Sequence, residues 1–296
     1  MTQTLPRLLV VYKKSQLELY QEHQPETLER LVVAEPKLWE RFLRAHAENA
    51  DAILRVRQAV LERQLEASFV YRADRVAASG YDLVVSVGGD GTLLDVSHSV
   101  LDRPLLGINS SPELSVGNFC AATAAAFGDA LDAWRRGELT ATALTRLELV
   151  VNGEVVPTPV LNEVLLAHTV PAAVSRYVLT HGDVEEEQKS SGLWISTAAG
   201  STAAIHSAGG DAMAPTDPRI QYLVREPYVW PGHHYRLLRG YVDGELELLS
   251  KMRTAAIYID GYREQVDLTL GDRVRIRRHP NPLNLVGFRQ QLPATD

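Results

Sequence analysis

The run GGDGT, Gly88–Thr92, is the stretch of the sequence whose residue types are best suited to chemistry. Glycines leave backbone N–H groups unshielded, so phosphate oxygens can approach them, and a following helix N-terminus adds a favourable dipole. The run follows the apolar stretch Asp82–Val87 and precedes a helical pattern, which is where open parallel sheets bind ligands. Because a carboxylate weakens a simple phosphate cradle, we expect Asp90 to act as an acid or base toward a hydroxyl nucleophile, or to lead to Mg²⁺.

A purely structural interpretation of the same run stays open at this point. A strand-to-helix turn with Asp90 as the N-cap has the same composition. The sequence contains neither a Walker A pattern nor a G-x-G-x-x-G fingerprint, so P-loop and Rossmann interpretations have no motif support. Any phosphate would be bound in another way.

Composition and charge limit the class of protein. The chain has 296 residues, of which 45% are hydrophobic and 23% charged, and this predicts two globular domains. Its formal net charge of -7 argues against a nucleic-acid-binding surface. The single cysteine, Cys120, excludes intrachain disulfides and thiolate zinc sites and favours a reducing compartment.

The beginning of the chain carries no expected membrane or targeting signal. Its longest apolar run, Leu8–Tyr12, is too short for a membrane span or a signal-peptide core and is predicted to be a β-strand. That strand lies so near Met1 that we expect no transit peptide and a cytoplasmic location. No metal site is expected either, since the adjacent His233 and His234 lack a carboxylate or cysteine partner at ligand spacing.

Strands and helices alternate through the first half of the chain. The predicted strands are Leu8–Tyr12, Asp82–Val87 and Pro104–Ile108. Amphipathic segments are predicted at residues 36–66, 92–101 and 124–136. Nearly continuous apolar strands between helices indicate a parallel sheet covered on both faces, which is an α/β domain.

From about Leu139 onward the pattern changes to short β segments. The predicted strands are Leu147–Val151, Val160–Ala167, Tyr177–Thr180 and Ala255–Ile259. Further alternating runs follow around Val266 and around Val274, where arginines occupy every second position and are expected to form a solvated strand face. The second half is predicted to be mostly β.

Three motifs in order resemble one family. GGDGT resembles the kinase superfamily that includes NAD kinases, diacylglycerol kinases and sphingosine kinases. Asn162-Glu163 within LNEVLLAH, and the segment Ser190–Gly210 reading SSGLWISTAAGSTAAIHSAGG, resemble the motifs of the NAD kinases. Asp260-Gly261 is similar to a late Asp-Gly element of that family. Asn162-Glu163 on its own would suggest only an exposed turn.

The resemblance implies an NAD kinase, which transfers a phosphoryl group from ATP-Mg²⁺ to the 2′-hydroxyl of the adenosine ribose of NAD. It implies an α/β domain over residues 1–138, a β-sandwich domain that binds NAD over residues 139–278, and a segment 279–296 that returns to the first domain. It also implies a homodimer or homotetramer. No nucleic acid or membrane partner is expected.

The resemblance implies roles for individual residues. Asp90 corresponds to the catalytic base, and Asn162 and Glu163 suit ribose hydroxyls because a carboxylate accepts and an amide both donates and accepts. The remaining residues correspond to the triphosphate loop or to contacts with NAD: Gly88, Gly89, Gly91, Thr92, Lys189, Ser191, Thr202, Ala203, Ser207 and Asp260.

Several positions depart from the common family pattern. Ser191 stands in place of an Asp, Ala198-Ala199 in place of Pro-Thr or Pro-Ser, and Ala204 in place of a Tyr. These residues resemble the divergent branch that includes mitochondrial NAD kinases and small plant NADH kinases. The loss of an aromatic face and of a negative charge predicts that NADH is accepted as well as NAD⁺.

Two other functions remain open from sequence. A lipid kinase of the diacylglycerol type would share GGDGT, but the STAAGSTA segment and Asn162-Glu163 argue against it. A non-catalytic NAD(P)-binding sensor would keep GGDGT only as structure, and the presence of Asp90 argues against this.

Overall fold

The computed structural model describes residues 5–74, 77–232 and 234–288. The chain forms two compact units. One contains the chain up to Thr142 together with the stretch that starts at Asn284, and the other runs from Ala143 to Leu283. The sequence analysis placed these changes at residues 138 and 278. His233 lies outside the described residues, as does the part of the predicted returning segment beyond residue 288.

The first unit is an α/β structure. Its helices are α1 Gln16–His23, α2 Pro25–Ala34, α3 Pro36–Glu62, α4 Asp90–Ser97 and α5 Phe127–Arg135. The strands of its sheet are β1 Arg7–Tyr12, β2 Glu66–Tyr71, β3 Leu83–Gly88, β4 Leu105–Asn109, β5 Ala122–Thr123, β6 Ala141–Leu144 and β19 Leu283–Val286. The strand order is β2-β1-β3-β4-β19-β6, and β5 pairs with β4.

Parallel pairing brings several strand ends to one edge of the sheet. β1 pairs in parallel with β2 and β3, and β4 pairs in parallel with β3, β5 and β19. The register sets Tyr12 beside both Tyr71 and Val87, and Gly88 beside Asn109. The residues that follow β1, β2, β3 and β4 therefore share the carboxyl edge, where open α/β sheets bind ligands.

The core of this unit forms because the sheet and its helices bury matching apolar faces. Every residue of β3 and β4 is buried, as expected for a parallel sheet covered on both faces. Helix α3 buries Ala52, Val56 and Val60, which lie four residues apart on one face. These side chains belong to the same core cluster as Phe127 and Leu131 of α5.

Helices α1 and α2 and strands β2, β5, β6 and β19 of the first unit were not predicted from the sequence. Helices α1 and α2 each bury one residue, Leu17 and Leu28, and the apolar periodicity of α1 is weak. The predicted continuation of α3 to Glu66 is wrong, because Gln64 has a φ of 53° and the helix ends at Glu62. Glu66 instead begins β2, which pairs with β1.

The second unit is mostly β. Its strands are β7 Leu147–Val151, β8 Glu154–Val155, β9 Glu163–His168, β10 Ser175–His181, β11 Val184–Ser190, β12 Gly192–Ser196, β13 Ile220–Arg225, β14 Arg239–Val242, β15 Glu245–Ser250, β16 Ala255–Ile259, β17 Glu264–Leu268 and β18 Arg273–Arg278. A short helix, α6 Ala204–Ser207, follows a 3₁₀ turn at Ala199–Thr202.

Two antiparallel sheets enclose the core of this unit. Their strand orders are β11-β10-β15-β18-β7-β8 and β14-β13-β12-β9-β16-β17. One cluster of buried residues contains Tyr177 and Ile276 from the first sheet and Leu166, Ile195 and Ile257 from the second. The unit is therefore a β-sandwich, and the predicted fold class of an α/β domain followed by a β-sandwich domain is confirmed.

Strand β18 shows the alternation that the sequence predicted. Val274 and Ile276 are buried, whereas Arg273, Arg275 and Arg277 are exposed. Arg277 pairs with Glu148 across the neighbouring strand at 2.6 Å. None of the helices in the described part of the chain combines the length and apolar character that a membrane span requires.

Candidate active site

The GGDGT loop lies at the carboxyl edge of the parallel sheet. Strand β3 ends at Gly88, Gly89 is the N-cap of α4, and Asp90 is the first residue of that helix. The interpretation of Asp90 as the N-cap is therefore wrong. Gly89 has no side chain to cap the helix, but its carbonyl accepts hydrogen bonds from the N–H groups of Thr92 and Leu93 at 2.9 and 3.2 Å.

The three glycines of the loop differ in what surrounds them. A Cβ at Gly88 would overlap the Thr92 side chain, and one at Gly89 would lie 2.6 Å from Ser115 Oγ. A Cβ at Gly91 would meet no atom within 4 Å. Gly88 is thus required by the packing of the loop, a side chain at Gly89 would displace the Ser115 hydroxyl, and the space at Gly91 is open to a ligand.

Asp90 is fixed by two backbone donors. Its Oδ1 accepts a hydrogen bond from Phe119 N–H at 2.8 Å, and its Oδ2 accepts one from Asn118 N–H at 2.9 Å. The half-buried carboxylate is held in one orientation, and each oxygen keeps a further lone pair. An oriented carboxylate beside a glycine loop can accept a proton from a hydroxyl nucleophile.

Asn162 and Glu163 lie at the start of β9 in the second unit. Both are 8% exposed, and among the described residues Asn162 Oδ1 and Glu163 Oε2 have no hydrogen-bond partner. A buried polar atom without a hydrogen-bond partner costs about 1–3 kcal/mol, so two neighbouring ones call for an explanation. Together they form a pair of buried oxygens whose hydrogen-bonding capacity is unused.

The turn that carries these side chains is held from its N–H side by Asp260. The carboxylate of Asp260 accepts hydrogen bonds from the backbone N–H groups of Leu161, Asn162 and Glu163 at 2.9, 2.7 and 3.1 Å. The side chain of Asp260 therefore holds the backbone of this turn in place. A direct contact between Asp260 and NAD, expected from the sequence, stays a prediction.

The carbonyl side of the turn is held by residues that follow β12. Asn162 C=O accepts hydrogen bonds from Thr197 N–H at 2.9 Å and from Ser196 Oγ at 3.1 Å. Thr197 Oγ1 donates to the Leu161 carbonyl at 2.5 Å and accepts from Gly200 N–H. Residues distant in the sequence thus form hydrogen bonds with both the N–H groups and the carbonyl groups of the turn.

The STAAGSTA segment packs directly against this turn. A Cβ at Gly200 would overlap the Asn162 backbone, so only glycine allows the approach. The backbone N–H of Ala204 donates a hydrogen bond to the Glu163 carboxyl group. Thr202 and Ala203 lie between these two contacts, and both are half-buried.

The environment of Glu163 opposes its ionisation. Burial is the main cause and the negative charge of Asp260 adds to it, so the pKa of Glu163 is raised to about 8 in spite of the Ala204 hydrogen bond. The folded protein therefore holds a proton on this carboxyl group at neutral pH.

Three other residues predicted to contact NAD are Lys189, Ser191 and Ser207, for which the structure gives the following surroundings. Lys189, in β11, places its ammonium 5.0 Å from the centre of the Trp230 ring. Ser191 follows β11 and its backbone N–H donates to the Arg225 carbonyl at 2.9 Å. Ser207, the last residue of α6, is exposed.

Sequence reasoning missed Arg146, which is fully buried. Its guanidinium donates from Nε and Nη2 to the Asn281 carbonyl at 3.0 and 2.8 Å. Burial lowers the pKa of Arg146 to about 10, while the charge of Asp260 opposes that shift. The residues next to Arg146 in the sequence give no signal of this burial, because the groups that make it tolerable, the Asn281 carbonyl and the charge of Asp260, are distant in the chain.

Comparisons with known proteins decide the family. A model of the ATP-NAD kinase N-terminal domain matches residues 11–138. A probable NADH kinase from Oryza sativa is 38% identical over 219 residues, covering 66% of this chain and 67% of the rice protein. An NADH kinase from Arabidopsis thaliana is 38% identical over 238 residues, covering 69% of this chain and 72% of the plant protein. The chain belongs to the NAD kinase family.

A solved structure extends the likeness to the fold of the whole chain. An NAD kinase from Archaeoglobus fulgidus, crystallised with ATP, superposes with a TM-score of 0.66 at 20% identity, covering 96% of this chain and 94% of that chain. The NAD kinase family match includes GGDGT, whereas Asn162 and Glu163 lie beyond residues 11–138.

The first prediction for this NAD kinase family member concerns Asp90→Asn. If Asp90 is the base, turnover falls by roughly 10²–10⁴-fold. An amide offers only one acceptor oxygen, so one of the N–H groups of Asn118 and Phe119 loses its partner, and the free energy of unfolding falls by about 1–2 kcal/mol. Steady-state kinetics and urea unfolding measure the two effects.

Asp129→Asn is the matched control, since Asp129 also lies in the first turn of a helix, α5, and is exposed. It should change neither quantity. Wild-type turnover in Asp90→Asn would remove Asp90 from the chemistry.

The second prediction concerns Asp260→Asn. Asp260 has a φ of 47°, a conformation that Asn also adopts, so the backbone is preserved while one carboxylate oxygen is lost. We expect the KM for NAD to rise by roughly tenfold, because the Asn162 turn is less well fixed, with a smaller change in kcat.

Asp267→Asn, in the neighbouring strand β17, removes an exposed carboxylate and should leave KM unchanged. Equal losses of kcat and kcat/KM in Asp260→Asn would contradict a role confined to acceptor binding.

The third prediction follows from the raised pKa of Glu163. The folded protein binds more protons than the unfolded chain between the ordinary glutamate value and pH 8, so this contribution to stability is complete at low pH and is lost as the pH rises toward 8. Glu163→Gln removes the dependence. Relative to wild type, the variant should gain roughly 1–3 kcal/mol of unfolding free energy between pH 5 and pH 8.

Denaturant unfolding at intervals from pH 5 to pH 8 measures this gain. Glu154→Gln, at an exposed position of β8, should run parallel to wild type. A Glu163→Gln curve that is also parallel to wild type would mean that Glu163 is already ionised in the folded protein.

Proposed function

We propose that this chain transfers the terminal phosphoryl group of ATP-Mg²⁺ to the 2′-hydroxyl of the adenosine ribose of NAD⁺ and of NADH. Membership of the NAD kinase family supports the reaction class. The names of the plant relatives, both NADH kinases, support the reduced acceptor. A lipid-kinase function gains no support from these relatives, all of which phosphorylate a dinucleotide by name.

One observation carries the proposal for the acceptor. Asn162 Oδ1 and Glu163 Oε2 are adjacent buried oxygens that lack hydrogen-bond partners among the described residues. A ribose hydroxyl both donates and accepts, so a diol on neighbouring carbons can donate to the Asn162 amide oxygen and accept from the protonated Glu163 carboxyl group. Binding would recover the desolvation cost that the free protein bears.

The chemistry at the loop follows from the fixed carboxylate. Asp90 takes the proton of the 2′-hydroxyl, the ribose oxygen forms a bond to the terminal phosphorus, and the bond from that phosphorus to the bridging oxygen breaks to release ADP. Gly88, Gly89, Gly91 and Thr92 form the loop that binds the triphosphate, with the open face of Gly91 toward it.

Mg²⁺ enters this reaction as part of the donor. Within the described ranges no three His, Cys, Asp or Glu side chains are grouped as metal ligands. This suits Mg²⁺, which keeps its waters and is held by substrate phosphates with one or two carboxylates rather than by an all-protein cage.

The other predicted contacts remain part of the proposal. Thr202 and Ala203, in the segment that Gly200 brings against Asn162, line the adenosine part of the acceptor. Lys189, Ser191 and Ser207 contact the rest of NAD.

We also propose a homodimer or homotetramer that functions in the cytoplasm. Tyr262 and Val229 are 80% and 65% exposed, which leaves large apolar side chains available to a second copy. Cys120 as the single cysteine gives no intrachain disulfide that would require an oxidising compartment. Light scattering on the purified protein measures the oligomeric state.

The decisive assay presents ATP-Mg²⁺ with NAD⁺, NADH or diacylglycerol in parallel and identifies the phosphorylated product. We expect both dinucleotides and no lipid to react. Ala204→Tyr should shift the ratio of kcat/KM toward NAD⁺ by a few-fold to tens-fold, because a cationic nicotinamide gains roughly 0.5–2 kcal/mol from an aromatic face.

Ala208→Tyr is the control, since Ala208 is exposed one turn after Ala204. It should leave the ratio unchanged. A wild type that rejects NADH, or an unchanged ratio in Ala204→Tyr, overturns the proposed acceptor range.

A further inference from the structure

A second concentration of functional groups lies in the first unit. A cavity of about 340 Å³ opens at the carboxyl edge of the parallel sheet, with its walls formed by the chain after β1, by α3 and by the loop after β4. We call it the Lys13 cavity, after the residue that directly follows β1. Its volume is within the range of small-molecule sites.

Two residues that line the Lys13 cavity, Lys13 and Ser115, lie beside the GGDGT loop. The backbone N–H of Lys13 donates to the carbonyl of Val87, the residue before Gly88, at 3.3 Å. Ser115 lines the cavity and also limits the space at Gly89. A ligand in the cavity would therefore lie next to the loop that carries Asp90.

The lining is cationic in a chain whose net charge is -7. Four cations line the cavity, Lys13, Lys14, Arg41 and Arg72, and its lining contains no Asp or Glu. Lys14 pairs with Glu22 at 2.6 Å and Arg72 with Asp95 at 2.9 Å. Within the described part of the chain, Lys13 and Arg41 have no ion-pair partner.

The surroundings of Lys13 favour an anion beside it. Burial lowers the pKa of Lys13, and the positive charge of Arg72 lowers it further. Both effects oppose the charged ammonium, and a phosphate group placed next to it would relieve them. Lys13 also lies at the end of the cavity that adjoins the loop.

The other wall of the cavity is apolar. Leu38 and Phe42 lie one turn apart on α3, and Leu38 is 40% exposed. One edge of the Phe42 ring packs against Tyr20, with ring centres 5.8 Å apart. An aromatic ring beside a cationic patch suits a base attached to phosphates, because stacking tolerates any base while the cations bind the charge.

Building on the proposed function, we propose that the Lys13 cavity is the site of the nucleoside triphosphate donor. Its base packs on Phe42 and Leu38 of α3, and Lys13 and Arg41 bind phosphate oxygens that lead to the GGDGT loop. No contact with the acceptor is involved.

Arg41→Met tests the charge without threatening the fold, because Arg41 is exposed. We expect the Kd for ATP-Mg²⁺, measured by calorimetry on the full chain without acceptor, to rise by roughly tenfold. Arg44→Met is the matched control, since Arg44 is exposed on the same helix outside the cavity lining. Lys13→Met should weaken ATP binding at least as much, and the Kd for NAD should stay the same in all three variants.

Phe42→Ala separates a nucleotide site from a general polyanion site. It should weaken ATP-Mg²⁺ binding by several-fold and leave the Kd for inorganic tripolyphosphate unchanged, because base stacking contributes roughly 1–3 kcal/mol and tripolyphosphate has no base. Arg41→Met should weaken both ligands.

The outcomes separate this inference from the proposed function. An ATP affinity that is unchanged in Arg41→Met and Lys13→Met, or reduced equally in Arg44→Met, overturns the inference even if the enzyme phosphorylates NAD. Equal losses for ATP and tripolyphosphate in Phe42→Ala overturn the base site. The expected pattern in a protein that does not phosphorylate NAD supports the donor site and refutes the proposed function.

Discussion

The contact between the Asp260 carboxylate and three consecutive backbone N–H groups is the interaction on which the turn at Asn162 and Glu163, the proposed acceptor site, depends. Three amide donors in a turn, at 2.7 to 3.1 Å, exceed what a neutral side chain with one acceptor oxygen satisfies well. A carboxylate satisfies them, but its burial adds negative charge beside Glu163. The buried guanidinium of Arg146 supplies charge of the opposite sign, and its own burial is tolerable for the same reason.

A turn whose N–H and carbonyl groups are both held by hydrogen bonds can carry buried side chains that lack hydrogen-bond partners in the free protein. The orphan oxygens of Asn162 and Glu163 each cost about 1–3 kcal/mol, and neither can rotate the backbone away to find water. Rigidity is thus what allows these two oxygens to stay unpaired in the free protein. The pKa of Glu163 is raised in the same surroundings, because a second buried negative charge next to Asp260 would be more costly in free energy than a neutral carboxyl group.

The sequence predicted those features that depend on residues adjacent in the chain. Continuous apolar runs located β3 and β4, alternation located β18, and glycine chemistry located the loop around Asp90. Features set by distant partners were missed. Nothing near Arg146 announces its burial, and the use of Asp260 on a turn about one hundred residues earlier depends on how β9 and β16 pair. Helix α1 is a different case, since the capping box of Ser15 and Glu18 marks its start but its single buried residue gives no periodicity.

The two units treat polar ligands in opposite ways, and the difference follows from what each ligand carries. In the proposed donor site, phosphates bring negative charge, and the first unit offers the cations Lys13 and Arg41 and the open space at Gly91. In the proposed acceptor site, sugar hydroxyls bring hydrogen-bonding groups without charge, and the second unit offers the buried oxygens of Asn162 and of a protonated Glu163. A cation placed beside Asn162 and Glu163 would favour the ionised carboxylate and pair with it. A carboxylate in the Lys13 cavity would likewise neutralise the cations. Keeping the two kinds of group in separate units therefore preserves the unpaired state that each ligand requires.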